Sequence, residues 1–443
     1  MLTDTYAKIG QRVKVYRKER DLSQDELADG ICSRQTISLL ENGQHFPSVD
    51  FMQKIAERLS VPLHEIMVDE AKELDVKVQL EIMKVYIERG EYNEAFSIFD
   101  ELESRDDLLM YQKRELALLQ AECLMRTGKA EQAVEILTGL QQSLEQQRES
   151  DDHFMATLYD KLGTAYYFLS QIATAHAHYM RAYQLSQRFS EFNLTAARIT
   201  YNFGKACRMI ERHAEAVELL SRAKAFFDNI SDTKRLALTL FELGIASRNR
   251  NEIEKAEVYL NESQALFKAL NILGLARRVR ESYAFTILSQ KDPKRAIEEL
   301  WECASGFEKA GDTARLAYSY ARMSKLHLRQ GETEEAGNLL RSAMGLFTER
   351  EAKNNFRFAT VYQAYAEYSL TIKMLDDCIA FSFKASEFFG KMGYGRDAAD
   401  SLKLSVKAYR ELGMLEEALD VSEKANEILC RSHDQFRLST GGE

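Results

Sequence analysis

The 443-residue sequence predicts an all-α protein, with a compact N-terminal domain of five helices followed by a right-handed superhelix of about nine helical hairpins. Three observations support this prediction. Helix caps and stops follow one another closely in the first 68 residues, small residues recur about every 40 positions thereafter, and proline is absent from residue 63 to residue 292. Long stretches without proline favour uninterrupted helices.

Serine and glycine residues mark the helices predicted in the N-terminal domain, which spans residues 1–68. Serine is favoured just before a helix and glycine just after one. The cap serines are Ser23, Ser33 and Ser48, and the terminating glycines are Gly30 and Gly43. A first helix covers "YAKIGQRVKVYRKERD" and a short fifth covers "LHEIM". Five short helices with a tight turn between the second and third are typical of a helix-turn-helix domain.

A ladder of small residues fills most of the remaining chain. Its members lie 38 to 42 residues apart: Ala95, Ala133, Ala175, Ala216, Ala256, Ala296, Ala336, Cys378 and Ala418. Turn residues often stand five positions earlier, at Gly90, Gly128, Asn251, Gly331 and Gly413. Aromatic residues often stand eleven positions later, at Phe227, Phe267, Phe307, Phe347 and Phe389.

Each repeat is therefore predicted to be a helix, a tight turn and a second helix, because an offset of eleven returns to the same helix face. Such hairpins stack into a superhelix with a continuous core. The pattern resembles the tetratricopeptide repeat, although the period is nearer 40 than the usual 34. We predict a linker at residues 69–75, the repeats at residues 76–435 and a tail at residues 436–443.

Composition and motifs exclude several other classes of protein. The formal charge of −10 argues against a general nucleic-acid or membrane coat. The sequence has no secretory signal and no run of 18 apolar residues, and its six cysteines are dispersed, which favours a cytoplasmic protein with reduced thiols. It contains no phosphate-binding loop and no H-E-x-x-H motif. We therefore predict no enzyme activity, catalytic residue, metal site, cofactor or membrane partner.

The N-terminal domain resembles the repressor-type helix-turn-helix family, also called the XRE family. The matching positions include "LSQ-x-ELA" from Leu22 to Ala28, "IS-x-x-E-x-G" from Ile37 to Gly43, and Pro47. In this family the third helix enters the major groove of DNA, and its N-terminal residues contact base edges. The resemblance therefore implies that double-stranded operator DNA is a partner.

The resemblance assigns DNA contacts to eight residues. Arg34 would pair with guanine and Gln35 with adenine, while Thr36 offers a methyl or hydroxyl group. The full predicted set is Gln24, Ser33, Arg34, Gln35, Thr36, Ser38, Asn42 and Gln44. Leu39 departs from the family pattern, because a polar base-reading residue often stands at its position.

The whole chain resembles the RRNPP group of peptide-sensing quorum regulators, and in layout the neutral-protease regulators of bacilli within that group. The resemblance implies that a short signalling peptide binds the concave face of the repeats and switches DNA binding. It also implies self-association as a homodimer, or a change between dimer and tetramer.

Repeat register and the family resemblance together predict which residues bind the peptide. Members of the family hold the peptide backbone with asparagine amides, which both donate and accept, so the resemblance implies this role for Asn202 and Asn249. Arginine and lysine on the concave face can bind carboxylates, and aromatic side chains there can form apolar pockets. The predicted peptide-binding residues are Arg198, Tyr201, Asn202, Lys205, Arg208, Phe241, Asn249, Arg278, Phe285 and Lys325.

Two other functions remain open at this stage. The repeats could bind a sporulation phosphorelay response regulator, either alone or in addition to DNA binding by the first domain. Alternatively, the chain could be a scaffold whose helix-turn-helix domain does not bind DNA. The net charge of −1 over residues 1–68, from nine basic and ten acidic residues, and the apolar Leu39 favour this last interpretation.

Overall fold

A computed structural model describes residues 2–44, 48–67, 70–146 and 151–438 of the chain. The predictions made for Pro47, for residue 68 of the N-terminal domain, for residue 69 of the linker and for residues 439–443 of the tail lie outside the described residues. The chain divides into two compact units, Met1–Leu140 and Gln141–Glu443. Among the described residues, no helix combines the length and the apolar character that crossing a bilayer requires.

Five helices form the N-terminal domain, as predicted. They are α1 (Leu2–Glu19), α2 (Gln24–Ala28), α3 (Arg34–Glu41), α4 (Val49–Leu59) and α5 (Leu63–Ile66). Ser23, Ser33 and Ser48 cap α2, α3 and α4, and each side chain accepts a backbone N–H from the first turn of its helix. One apolar core joins the domain, and its fully buried members include Val13, Leu27, Ile37, Ile55 and Leu59.

Nine helical hairpins follow in the described residues, and this confirms the predicted repeat fold. The first five pairs are α6 (Glu70–Arg89) with α7 (Tyr92–Glu103), α8 (Met110–Arg126) with α9 (Ala130–Gln146), α10 (Asp152–Phe168) with α11 (Ile172–Ser186), α12 (Leu194–Met209) with α13 (His213–Asn229), and α14 (Thr233–Asn249) with α15 (Ile253–Ala269). Residues 70–75, which the sequence assigned to a linker, form the first turns of α6.

The last four hairpins are α16 (Leu273–Tyr283) and α17 (Ser289–Lys291) with α18 (Pro293–Lys309), α19 (Thr313–Arg329) with α20 (Thr333–Met344), α22 (Phe356–Thr371) with α23 (Leu375–Lys391), and α24 (Gly395–Glu411) with α25 (Leu415–Leu438). They contain two irregular features. A short helix, α21 (Glu349–Ala352), precedes α22, and a π-helical turn (Ala284–Leu288) joins α16 to α17. We call the first helix of each hairpin its inner helix.

The small residues of the ladder are buried where the helices of the repeats pack against each other. All nine members are at most 3% exposed, and the five turn residues predicted from the sequence all have a positive φ, between 64° and 80°. Glycine is required at two positions where an inner helix meets its hairpin partner, Gly163 and Gly244. A Cβ on Gly163 would lie 2.6 Å from Tyr179 Cδ1, and one on Gly244 would lie 2.7 Å from Leu260 Cγ. Larger residues at these two positions would push the helices apart.

Candidate DNA and ligand interfaces

The first turn of α3 presents polar side chains to solvent. The side chain of Arg34 is 66% exposed, and Gln35 is exposed beside it. Behind them Ile37 and Leu40 are buried in the domain core. Ser33 and Thr36 hydrogen-bond to each other through their hydroxyl groups at 2.9 Å, so they stabilise the start of the helix.

The other residues predicted to contact DNA have different surroundings. Asn42 and Gln44 are exposed just after α3, and Ser38 is half-buried. The Gln24 amide donates to Glu41 Oε2 at 2.8 Å, so this side chain also has a role inside the domain. Arg34 Nε lies 3.6 Å from Asp25 Oδ2, in an exposed ion pair that a DNA base could replace at little cost in free energy.

A buried ion pair fixes the end of α3 against α1. Arg17 donates to both carboxylate oxygens of Glu41, with Nε to Oε1 at 2.5 Å and Nη2 to Oε2 at 3.0 Å. Arg17 Nη1 also donates to the Leu22 carbonyl at 2.7 Å, which adds the α1–α2 turn to the same contact. Burial alone would raise the pKa of Glu41, but the hydrogen bonds from Arg17 and Gln24 outweigh it and lower the pKa. Sequence analysis missed this role of Arg17.

Polar contacts link successive inner helices of the second unit. Between α10 and α12, Asn202 Nδ2 donates to Asp160 Oδ1 at 2.8 Å, and Arg198 Nη2 lies 3.9 Å from Asp160 Oδ2. Between α12 and α14, Arg208 Nε donates to Glu242 Oε2 at 2.6 Å. Three of the predicted peptide-binding residues therefore already have partners within the repeats.

Two predicted lysines are also held by neighbouring side chains. Lys205 Nζ lies 3.6 Å from the centre of the Tyr167 ring, and its charge is the main reason that the pKa of Tyr167 is lowered. Lys325 Nζ donates to Glu367 Oε1 at 2.8 Å. A peptide carboxylate that bound either lysine would have to compete with these contacts.

Three other predicted residues differ in how far they are available to a ligand. Phe241 packs against the apolar core between repeats, whereas Asn249 is exposed at the end of α14. Tyr201 is half-buried, and burial raises its pKa well above the ordinary value.

Arg278 and Phe285 lie in a region of α16, α19 and α22 that is rich in arginine. We call Arg278, Arg315, Arg322 and Arg357 the arginine cluster. Its central carboxylate is Glu281, which is 1% exposed and lies 3.4 Å from Arg315 Nη1 and 4.0 Å from Arg322 Nη1. The Arg322 guanidinium lies 4.7 Å from the centre of the Phe285 ring.

The peptide-binding residues predicted from the repeat register do not include Arg315 or Arg357. In each repeat, that register begins 18 residues before the small residue of the ladder, as Arg198 and Arg278 show. Arg315, Arg357 and Asp397 all lie 21 residues before the small residues of the ladder, one helical turn earlier. Extending the register by one turn would have identified all three residues.

Distant turns of the second unit contact each other. Arg396 Nη1 donates to Glu211 Oε2 at 2.6 Å, although the two residues are 185 positions apart. A Cβ on Gly393 would lie 3.7 Å from the backbone nitrogen of Ile172. The turn before α24 therefore lies against the turns that precede α11 and α13.

Comparisons with known proteins agree with this architecture. A helix-turn-helix family model (HTH_3) matches residues 13–66. The transcriptional regulator SinR of Bacillus subtilis is 39% identical over 75 residues, which cover 16% of this chain and 67% of SinR. The transcriptional activator NprA of Geobacillus stearothermophilus is 20% identical over 365 residues, which cover 80% of this chain and 85% of NprA. A secreted RxLR effector of Plasmopara halstedii is 25% identical over 191 residues, and that match spans 58% of the effector.

Solved structures share the repeat fold. A Rap protein complexed with Competence and Sporulation Factor has a TM-score of 0.64 at 14% identity, over 82% of this chain and 99% of the Rap chain. The apo form of the quorum sensor NprR from B. thuringiensis has a TM-score of 0.57 at 13% identity, over 81% of this chain and 99% of NprR. The Rap conjugation regulator of plasmid pLS20, in complex with the Phr* peptide, has a TM-score of 0.53 at 14% identity, over 83% of this chain and 98% of that chain.

The chain belongs to the helix-turn-helix family of transcriptional regulators. Its architecture, a helix-turn-helix domain followed by a superhelix of helical repeats, is that of the RRNPP-type regulators.

Proposed function

We propose that this protein is a cytoplasmic transcription regulator that binds operator DNA through α3 and is switched by a short signalling peptide bound along the inner helices. The proposal that the protein binds DNA depends on one observation: the first turn of α3 is exposed, whereas the rest of the helix is fixed by buried contacts. Arg34 and Gln35 point to solvent, while the Arg17–Glu41 ion pair and the apolar core fix the helix that carries them. A helix fixed by the domain core, with exposed polar side chains in its first turn, suits base recognition.

The peptide-binding part is supported by the inner helices and by the fold. Their facing surfaces carry arginine, asparagine and tyrosine side chains, which are the groups that hold an extended peptide. The pLS20 regulator, which shares the fold, is described in complex with a peptide. Several of the polar side chains here already pair with each other, so we propose that a peptide binds by replacing some of these pairs.

We further propose that the DNA-binding form is a homodimer. A single helix-turn-helix domain buries only about 600–1,000 Å² of its surface on DNA, and two domains on two half-sites would bind more firmly. The duplex that the protein prefers should therefore contain two related half-sites.

The experiment is a selection of random-sequence DNA duplexes on the full-length protein. Arg34→Ala should weaken binding to the selected duplex by about 1–3 kcal/mol, or roughly 5- to 150-fold, and relax the preference at one base position of each half-site. Lys129→Ala, an equal change of charge at an exposed residue before α9, is the control and should bind as the wild type does. An Arg34→Ala variant with an unchanged sequence preference would refute base recognition by α3.

The switch is tested on the same duplex. Affinity is measured in fluorescence anisotropy titrations with and without a pooled library of random heptapeptides. We expect the library to change the apparent affinity for DNA at least threefold in the wild-type protein. Equal affinities in both titrations, with saturating library, would contradict regulation by peptides.

A further inference from the structure

The arginine cluster holds more positive charge than its own surroundings neutralise. Glu281 is its one fully buried carboxylate among the described residues, and it is shared between Arg315 and Arg322 while also accepting a hydrogen bond from Ser319 Oγ at 2.9 Å. The only other carboxylate paired with the cluster in the described part of the chain is Asp312. It lies 3.5 Å from Arg315 Nε, and its side chain is 42% exposed. In the described residues, one buried and one exposed carboxylate are thus the only acidic groups paired with any of the four guanidinium groups.

Two of these guanidinium groups have buried donors without an acceptor in the described residues. They are Nε of Arg278 and Nε of Arg322. A buried N–H that has lost its hydrogen bond to water destabilises the fold unless an acceptor replaces the water. The excess of positive charge also affects Arg315. Burial, together with the charges of Arg357 and Arg278, lowers the pKa of its guanidinium to about 9.

The surrounding structure holds Arg322 in place. Arg322 lies between aromatic rings, with its guanidinium carbon 4.2 Å from the centre of the Tyr318 ring and 4.7 Å from that of Phe285. Phe285 belongs to the π-helical turn, and such turns occur frequently at functional sites. The two rings therefore fix the position of the Arg322 guanidinium.

We propose that Arg278, Arg322 and Arg357 bind a carboxylate group of the regulatory peptide, either its C-terminal carboxylate or an aspartate or glutamate side chain. This inference rests on the proposed function. A carboxylate has two oxygens that match the parallel N–H groups of a guanidinium, and its charge offsets the repulsion within the cluster. Arg278 and Arg357 differ from Lys205, Arg208 and Lys325, because each of those three already has a side-chain partner in the described residues.

The test uses three libraries of synthetic random heptapeptides on immobilised full-length protein. The first library lacks aspartate and glutamate and has a free C-terminus. The second has the same composition with an amidated C-terminus. The third is amidated but contains aspartate and glutamate. Captured peptides are eluted and quantified by mass spectrometry. The wild-type protein should capture the first or third library at least tenfold more than the second, and which of the two is enriched identifies the source of the carboxylate.

Variants assign the selectivity to the cluster. Arg278→Ala and Arg357→Ala should lose the tenfold preference, and Arg278→Lys should regain only part of it because lysine lacks the paired N–H groups. Arg341→Ala is the control, since Arg341 is exposed on α20 and bonds only to Asn338 in the described residues. Circular dichroism at 222 nm confirms that each variant is folded.

The outcomes separate this inference from the proposed function. Equal capture of all three libraries by the wild-type protein would overturn carboxylate recognition while leaving peptide binding in place. Selectivity that survives in both alanine variants would also overturn the role of the cluster. If the wild-type protein captures no peptide from any library, peptide sensing itself is wrong and this inference fails with it.

Discussion

The N-terminal domain and the inner helices of the repeats differ in how many carboxylates are paired with their buried arginines. In the first, Arg17 meets one carboxylate with two hydrogen bonds, and both side chains are at most 11% exposed. In the second, Arg315 and Arg322 share Glu281, and the Nε groups of Arg278 and Arg322 have no acceptor among the described residues. A matched buried pair fixes two helices to each other. We expect an excess of buried charge to lower the stability of the protein, and the proposed peptide carboxylate would offset part of that charge.

Removing one member of the matched pair should have the largest effect. Glu41→Ala leaves the Arg17 guanidinium buried without its carboxylate, and we expect a loss of about 3–5 kcal/mol in the stability of the N-terminal domain. Hydrogen exchange measured by mass spectrometry on peptides from residues 9–66 reports this loss as faster exchange. Glu57→Ala, at an exposed position of α4, serves as the control and should change exchange little.

The same pair predicts how the domain responds to acid. Because the pKa of Glu41 is lowered on folding from its ordinary value of 4.5, its stabilising contribution is present above pH 4.5 and is lost as pH falls through the lowered value. The difference between wild type and Glu41→Ala should therefore shrink below pH 4.5. A difference that stays constant down to pH 3 would show that the ion pair is not its cause.

A smaller effect is expected at Asp397, an inner-helix carboxylate for which the described residues show no ion pair. Burial, followed by the charges of Asp400 and Glu211, raises its pKa to about 6. An acid whose pKa is raised on folding destabilises the ionised protein, so Asp397→Asn should increase stability by about 1–3 kcal/mol at pH 8. The gain should decrease as pH falls through about 6 and disappear below the ordinary value of 3.8.

Urea unfolding of the full-length protein, followed by circular dichroism at several pH values, measures this gain. Asp376→Asn changes an exposed carboxylate near the start of α23 and should have no comparable effect. If Asp397→Asn is less stable than the wild type at pH 8, then Asp397 takes part in a favourable ion pair and is not an unpaired buried charge.

The smallest effect is expected from relieving the arginine cluster itself. Arg278→Gln removes one charge and one buried donor without an acceptor, and in ligand-free protein it should raise stability by about 1 kcal/mol. Thermal unfolding of Arg278→Gln beside Arg341→Gln, at low and high salt, measures the gain, which should shrink as salt screens the repulsion. A less stable Arg278→Gln would mean that Arg278 supports the fold.

Much of this fold was predictable because it repeats locally. Ala95, Ala256 and Ala418 mark one packing position in three hairpins, and each is at most 3% exposed. Caps such as Ser33 act on residues three positions away, so the sequence alone locates them. The exposed surface of Arg34 and Gln35 likewise follows from their place in the first turn of α3.

The charge pairs could not be predicted in this way. Arg17 and Glu41 are 24 positions apart, and the family pattern that includes Glu41 does not identify Arg17 as its partner. The same is true of Asn202, which the sequence marks as polar but whose partner Asp160 lies 42 positions away on another helix. Periodicity identifies a face, whereas the partner of each charge depends on how adjacent inner helices are aligned.

The contact between Arg396 and Glu211 changes how the repeats should unfold. In most solenoids each unit touches only its neighbours, so segments can melt one after another from either end. Here hairpins that are far apart in sequence touch, because Arg396 of the last hairpin bonds to Glu211 in the turn before α13. Loss of the last hairpin would therefore remove a contact from the turn before α13, and we expect that turn to open more often as a result.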